Sequence, residues 1–266
     1  MKDKKGNPLF TIITVVYNDV EKIEGTIKSV ISQTYENFEY IVIDGKSDDG
    51  TLDVIKKYKD RIDYWVSEKD GGIYDAMNKG IEKSKGEYIY FLNSGDSFYD
   101  KNVLNLVSKE MEKFNGLLIC GLVRKKYNGY TLIQKSNFKK LQKFTNPCHQ
   151  ACFIKALFLK ENRFDTVFKS AADFDLFCKI QKSKQVVKDV DIIVANYDTS
   201  GFSSNKSITY GEKYKILRKH FGTYHSAVYY FKKILFEQNF KRLLILLRMN
   251  SFLEKIRRYN NKRNTI

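Results

Sequence analysis

Proline is almost absent from this chain of 266 residues, which contains two. Few breaks are forced on it, so element boundaries must be read from glycines and polar clusters. Cysteine is scarce as well, and Cys120, Cys148, Cys152 and Cys178 follow no paired metal-ligand spacing. A cytosolic chain gives them little chance to form disulfides, so they read as small buried hydrophobes, with Cys148 and Cys152 a zinc alternative short of two ligands. There is no internal repeat and no low-complexity segment. The apolar run at residues 243–247 (LLILL) is far shorter than the roughly 20 residues a spanning helix needs. The opening residues, MKDKKGNP, are charged and lack the apolar stretch of a secretory signal, which sets the expectation of a cytoplasmic protein.

What is present is a hydrophobic content of 42% and a net charge of +16. The first is enough for a real core, fitting one catalytic domain plus an appendage. The second is unevenly placed. Residues 206–266 carry fifteen Lys/Arg against three Asp/Glu, a net +12, which leaves the first 205 residues close to neutral at +4. A domain at 1–205 followed by a basic amphipathic helical tail at 206–266 is therefore expected.

Apolar runs alternate with amphipathic stretches in the first half. Phe10–Val16 (FTIITVV) reads as a buried strand and residues 20–32 as a helix with Ile23, Ile27, Val30 and Ile31 on one side. Phe38–Asp44 (FEYIVID) repeats the strand, and a helix opens at Gly50 and Thr51 with Leu52, Val54, Ile55 and Tyr58 apolar. Residues 62–67, 73–84 and 87–92 continue as strand, helix and strand. Such alternation implies an α/β fold with a mostly parallel sheet and helices on both faces. Ligands of these sheets bind beyond the strands' carboxyl ends. Those ends are polar here: Tyr17, Asn18 and Asp19 after the first, Asp44 through Gly50 after the second, and Asn93, Ser94, Gly95 and Asp96 after the later one. Residues 134–151 read as a loop-rich, acceptor-facing region, 173–183 as a helix, 185–197 as an extended apolar-rich segment, and the chain after Lys206 as helices broken near Gly222 and Asn239.

The succession TIITVVYND, IVIDGKSDDGT, EKDGGIYDAMNKGI and GEYIYFLNSGD resembles the N-terminal half of the family 2 glycosyltransferases, in particular their bacterial surface-polysaccharide branch. The likeness is strong over residues 10–100, looser through His149-Gln150 and Ala172-Asp173-Phe174-Asp175, and does not extend to the last sixty or so residues. It implies the GT-A fold, an inverting mechanism, a nucleotide-diphospho-sugar donor, UDP-linked above all, and Mn²⁺ or Mg²⁺ as cofactor.

Carried over residue by residue, the resemblance implies that Asp44 binds the base or ribose, a role suited to an acceptor-only carboxylate. Residues 14–18, including Thr14, Val15, Tyr17 and Asn18, would form the other wall of that pocket, with Tyr17 available for stacking. Asp48 or Asp49 fits a helix cap better than Asp44 does. Asn93, Ser94 and Gly95 stand at the diphosphate, and Asp96 is the implied metal ligand, although neutral Asn93 and Gly95 replace acids common there and leave one carboxylate in the motif. Gly72 and Asp75 line the sugar or phosphate, or else belong to a turn that Asp70 caps. Asp173 stands at the position of the catalytic base, which takes the acceptor proton as the hydroxyl attacks; an N-cap role fits it equally well. Asp173 and Asp175, two apart on a helix, point to different sides, so only one can serve. His149 and Gln150 touch acceptor or diphosphate, or are structural.

In the tail, Val228 through Phe236 interleave apolar residues with Lys232 and Lys233, and Lys241, Arg242 and Arg248 flank the LLILL run. This suits a helix lying in an anionic membrane surface, which would place the enzyme peripherally on the inner face of the cell membrane, near a lipid-linked or glycan acceptor. The alternative is packing on the catalytic domain or on a second copy, as a homodimer. Two other function classes remain. A nucleic-acid-binding module accounts for the charge but not for the strand-end acids. Another nucleotide-using α/β enzyme, such as a nucleotidyltransferase, shares the sheet, whereas a dehydrogenase lacks its G-x-G-x-x-G after the first strand.

Overall fold

The computed structural model describes residues 7–127, 130–135, 147–198 and 206–231. β1 (Phe10–Val16) is buried along its whole length, as a central strand covered on both faces must be. β2 (Phe38–Asp44) pairs with it in parallel from Phe10 opposite Phe38 to Val16 opposite Asp44, so the two strands end level. β3 (Tyr64–Ser67) and β4 (Tyr88–Phe91) extend this parallel group on either side. Between them run α1 (Val20–Ile31), α2 (Thr51–Lys57) and α3 (Ile73–Lys83). α1 buries Ile23, Thr26, Ile27 and Val30, spaced as one helical face, and α3 does the same with Ala76, Met77, Gly80 and Ile81.

Beyond β4 the sheet changes character. β5 (Ser97–Phe98) and α4 (Val103–Met111) lead to β6 (Leu118–Tyr127) and β7 (Tyr130–Lys135), an antiparallel hairpin that the sequence pattern did not announce. β8 (Cys152–Lys155), α5 (Ala156–Glu161), α6 (Ala172–Ser183), β9 (Val187–Tyr197) and α7 (Lys206–Tyr229) follow. β8 is antiparallel to both β4 and β6, and β9 runs parallel to β6. The order is β3-β2-β1-β4-β8-β6-β9-β5, with β7 against β6.

α7 is broken at Gly222, whose φ of 82° and ψ of −177° lie outside the helical region, at the break expected from the sequence. Its first half does not stand apart from the sheet domain. Ile216 and Leu217 are buried in the same core as β1 and α6, so a boundary at residue 205 separates charge but not packing. Lys232 to Ile266, and with them the membrane-facing run and the break expected near Asn239, lie outside the described residues. Tyr224, Val228, Tyr230 and Phe231, just before them, are exposed. Among the described residues no helix is long and apolar enough to cross a membrane.

Candidate active site

A cleft of about 690 Å³ opens beyond the carboxyl ends of β1 and β4. Its lining includes Val15, Tyr17, Asn18, Gly72, Asp75, Asn93, Ser94, Asp96, His149, Gln150 and Asp173, gathering in one place residues that the sequence scatters over 159 positions.

At the β1–β2 end, Tyr17 is 65% exposed and its neighbour Asn18 takes a positive φ of 48°. That conformation is held by a reciprocal pair in which Asn18 donates to the Asp48 carboxylate and accepts from the Asp48 N–H, each at 3.0 Å. Asp49 is the capping acid: it accepts from the N–H groups of Val20 and Thr51, at the starts of α1 and α2. Asp44 is fully buried, and its carboxylate accepts from the Ser47 N–H and the hydroxyls of Ser47 and Ser67. Three donors therefore already occupy part of its capacity of about four lone-pair sites. Thr14, expected in the wall of the base pocket, lies beneath it: its hydroxyl donates to the Leu92 carbonyl at 2.8 Å and accepts from Tyr40, locking β1 to its neighbours. Gly72 begins α3 at φ 116°, a backbone only glycine adopts cheaply, and donates to Asp70. Asp75 folds back to accept from the Gly71 N–H at 2.9 Å.

After β4 the chain turns at Gly95 with φ 90°, which carries Asp96 back into the fold. Asp96 is 4% exposed, and burial raises its carboxyl to about pKa 6 against the opposing pull of the Asp198 N–H, His149 and Gln150. The Asp198 N–H donates to Asp96 at 2.8 Å, and the Asp198 carboxylate pairs with Lys22 at 2.7 Å. A second acid thus stands beside the motif that supplies one from sequence. Ser94 donates to Asp19 at 2.6 Å. Asn93 Oδ1 is buried with no hydrogen-bond partner, an arrangement that costs free energy unless a ligand completes it. A buried carboxylate beside an orphaned amide oxygen is a hard oxygen donor set, which fits Mn²⁺ or Mg²⁺ when phosphates and waters supply the other positions. Among the described residues no group of three or more His, Cys, Asp or Glu side chains is gathered for a metal. The zinc alternative at Cys148 and Cys152 finds no support: burial pushes Cys148 up to about 12, against the thiolate that zinc requires, and Cys152 Sγ lies 3.0 Å from Cys120 Sγ.

At the opposite end stands α6. Asp173 is its second residue and Ala171 its cap, so the N-cap role open from sequence is not the one it has. Its half-buried carboxylate faces His149 at 3.8 Å and accepts from the Tyr74 hydroxyl at 3.4 Å. Burial raises its pKa, but the hydrogen bond and electrostatic pull of His149, followed by Lys213 and the Phe174 N–H, outweigh burial and lower it. Asp173 is thus held ionised at neutral pH, the form a base requires. Asp175 turns away as the spacing demands: it is fully buried, 2.7 Å from His220 and 3.1 Å from Lys179. His149 bridges the two ends, since its other ring nitrogen lies 3.4 Å from Asn93 Nδ2.

The reading of the sequence missed Asp198, Lys22, Tyr74 and the α7 residues Thr209 and Lys213, all of which line the cleft. Asp198 follows the end of a strand, as the other acids do, and that was a usable signal. No pattern in the sequence tells that α7 returns to the cleft. The acceptor-facing region expected at 134–151 is described only at its ends, where Gln134 and Pro147 line the cleft, and 136–146 lie outside the described residues.

Comparison with known proteins bears on this arrangement. The family model described as glycosyl transferase family 2 matches residues 11–182. An uncharacterized glycosyltransferase of Mycobacterium tuberculosis is 32% identical over 75% of this chain and 78% of its own length. A PGL/p-HBAD biosynthesis glycosyltransferase of Mycobacterium bovis is 27% identical over 74% of this chain and 80% of its own. Among solved structures, S. aureus TarS in complex with UDP-GlcNAc superposes with a TM-score of 0.66 at 19% identity, covering 86% of this chain and 68% of that one, while a longer TarS chain is covered to 39%. A mannosyltransferase from Pyrobaculum calidifontis in complex with GDP-Man and Mn²⁺ gives 0.60 at 16% identity, covering 82% and 64%. These structural likenesses confirm the GT-A fold.

Proposed function

This chain belongs to glycosyl transferase family 2, and from that premise we propose that it moves a sugar, with inversion, from a nucleotide-diphospho-sugar to a lipid-linked or glycan acceptor in bacterial surface polysaccharide synthesis. The observation that carries the proposal is a single cleft holding a buried oxygen donor set, Asn93 and Asp96, at one end and Asp173, which accepts from Tyr74 and faces His149, at the other. Inverting transfer needs those two functions on opposite sides of one sugar. Asp173 takes the proton of the acceptor hydroxyl as its oxygen bonds to the anomeric carbon; the bond from that carbon to the diphosphate breaks on the far side, and the nucleoside diphosphate departs with the electron pair.

Tyr74 donates to Asp173 and His149 flanks it, so the base is oriented before the acceptor arrives. Burial and the Asp173 charge raise the Tyr74 pKa, which keeps its hydroxyl a donor. Asn93 and Asp96 are the groups that would hold Mn²⁺ or Mg²⁺, which when bound neutralises charge on the diphosphate. Tyr17, Asn18 and Val15 form the wall for the base, with Asp44 behind them. UDP is favoured as the nucleotide, because TarS, the neighbour of highest TM-score cited above, is complexed with UDP-GlcNAc.

A cytoplasmic enzyme held on the inner face of the membrane by its basic tail would meet a lipid-linked acceptor at raised effective concentration. A panel of UDP- and GDP-sugars incubated with Mn²⁺ tests the core of the proposal. Release of nucleoside diphosphate from one donor, and an inverted anomeric centre in the transfer product by NMR, is expected. Release of pyrophosphate would point to a nucleotidyltransferase instead.

A further inference from the structure

A base stacked at the β1–β2 end of the cleft needs a partner for its N–H edge. Asp44 is poorly placed to be that partner: it is fully buried, lies outside the cleft lining, and already accepts from the Ser47 N–H and the hydroxyls of Ser47 and Ser67. A carboxylate engaged in this way holds the turn after β2 and has no surface to offer a ligand. Its neighbour Gly45 has no side chain to offer either.

What stands over Gly45 is the carboxylate of Asp70, from the loop between β3 and α3. A methyl group placed on Gly45 would lie 2.7 Å from Asp70 Oδ2 and 3.2 Å from the Tyr17 ring. The two side chains therefore converge over one glycine, and both line the cleft. Asp70 Oδ1 accepts from the Gly72 N–H at 2.8 Å, which orients the carboxylate at the start of α3. Among the described residues nothing donates to Oδ2, and no cation lies within ion-pair distance of it; Lys79 pairs instead with Glu68 at 2.8 Å and stands 4.0 Å from Asp75.

An ionised carboxylate only accepts, so a half-buried oxygen left without a donor calls for an N–H or O–H from a ligand. The exposed Tyr17 ring beside it gives a base its stacking face. With Oδ1 turned to Gly72, one oxygen is free. That matches the single imide N–H of uracil, whereas the adjacent N–H groups of guanine ask for both oxygens at once.

We infer that Asp70, held over Gly45 beside Tyr17, selects the base of the donor by accepting the imide N–H of uracil, and that Asp44 serves the fold instead. The inference rests on the glycosyltransferase reading above and deepens it.

The full-length protein with Mn²⁺ is titrated by calorimetry with UDP, with UDP methylated on the imide nitrogen, with UDP lacking the ribose 2′-hydroxyl, and with GDP. Wild type is expected to bind UDP roughly 10-fold or more tightly than the imide-methylated analogue, the size of a hydrogen bond to a charged group. Asp70→Ala should bring the two within about twofold by weakening UDP; a general loosening of the loop would weaken both alike and leave their ratio unchanged. Gly45→Ala, whose methyl would strike the same oxygen, should shrink that ratio with Asp70 still present. A wild type that does not distinguish UDP from its methylated analogue overturns the inference, as does a ratio that survives in Asp70→Ala. Discrimination against the analogue lacking the 2′-hydroxyl that vanishes in Asp70→Ala, with the imide ratio unchanged, also overturns it and assigns the carboxylate to the ribose. Tighter binding of GDP than of UDP overturns the choice of uracil. A protein that binds no nucleoside diphosphate fails the function proposal itself, and that is seen before any analogue is added.

Discussion

The two ends of the cleft are made differently. The donor end is assembled from turns that follow parallel strands: Tyr17 to Asp19 after β1, Asn93 to Asp96 after β4, with Asp44 at the end of β2 behind them. The opposite end, the one proposed for the acceptor, is assembled from helices and a pinned loop, where α6 supplies Asp173, α7 supplies Thr209 and Lys213, and Glu212 fastens the loop between. Strand ends are level because the β1–β2 register is fixed by the ladder, so the turns after β1 and β4 reach the cleft together, while Asp44 at the end of β2 is buried outside its lining. A helix has no such constraint. What the contrast teaches is that the donor end is set by local pairing and the acceptor end by how α7 docks on α6.

The sharpest way to break the comparison is at the donor end. Asp96→Ala, or excess EDTA on the wild type, is expected to remove transfer below detection, because Asp198 lies close but spends its carboxylate on Lys22. Full turnover in EDTA would show that the buried donor set serves no cation. At the acceptor end, Asp173→Asn should cut turnover by about 10²–10⁴-fold, the usual contribution of a general base, while UDP-sugar binding measured by calorimetry changes little. If binding and turnover fall together, Asp173 is a structural residue.

A smaller effect tests the docking itself. His220 and Lys219 of α7 meet the buried Asp175, and burial, which opposes ionisation, is outweighed there first by the His220 hydrogen bond, then by Lys179 and Lys219, so that Asp175 falls to about pKa 2. A folded pKa below the unfolded 3.8 stabilises the protein in full above pH 4, and the contribution is lost as pH falls toward 2. The depression corresponds to about 2 kcal/mol. His220→Ala should therefore lower stability by roughly 2–5 kcal/mol at pH 7, less so near pH 2, as followed by urea denaturation. A variant as stable as the wild type at pH 7 would mean that α7 is held by Ile216 and Leu217 alone.

The mildest expectation concerns the tail beyond the described residues. Anionic vesicles should co-float with the protein at low salt and release most of it at high salt, since the attraction is screened within about 10 Å at 0.1 M. Lys241→Glu, Arg242→Glu and Arg248→Glu together should abolish the co-flotation. Co-flotation insensitive to both would remove electrostatics from membrane binding, and none at low salt would favour a packing or dimerising tail.

Much of the first half could be read directly. Phe10–Val16 and Phe38–Asp44 stand where the apolar runs put them, because a doubly covered strand must be apolar throughout and must end where polarity resumes. The predicted strand at 62–67 shortens to Tyr64–Ser67, with Ile62 taken up as the residue closing a turn of 3₁₀ helix. The β6–β7 hairpin escaped because residues such as Arg124, Lys125 and Lys126 interrupt any alternation. The acids after β1 and β4 were legible as strand-end residues, and Asp198 directly after β9 carries the same signal, whereas Tyr74 gave no pattern that separates it from an ordinary helix residue.

The sequence by itself determined the parallel sheet, the strand-end position of Asp96, the opposed directions of Asp173 and Asp175, and the break at Gly222. Each follows from local periodicity or backbone sterics. The tertiary structure decided which atoms are already engaged: Thr14 in the core, Asp44 with its serines, Asp173 inside its helix beside His149 and Tyr74, and Asp198 against Asp96. It also decided that α7 completes the cleft. The physical reason is that hydrogen-bond satisfaction and the burial of charge depend on which distant segments come into contact, and that is fixed only when the helices pack.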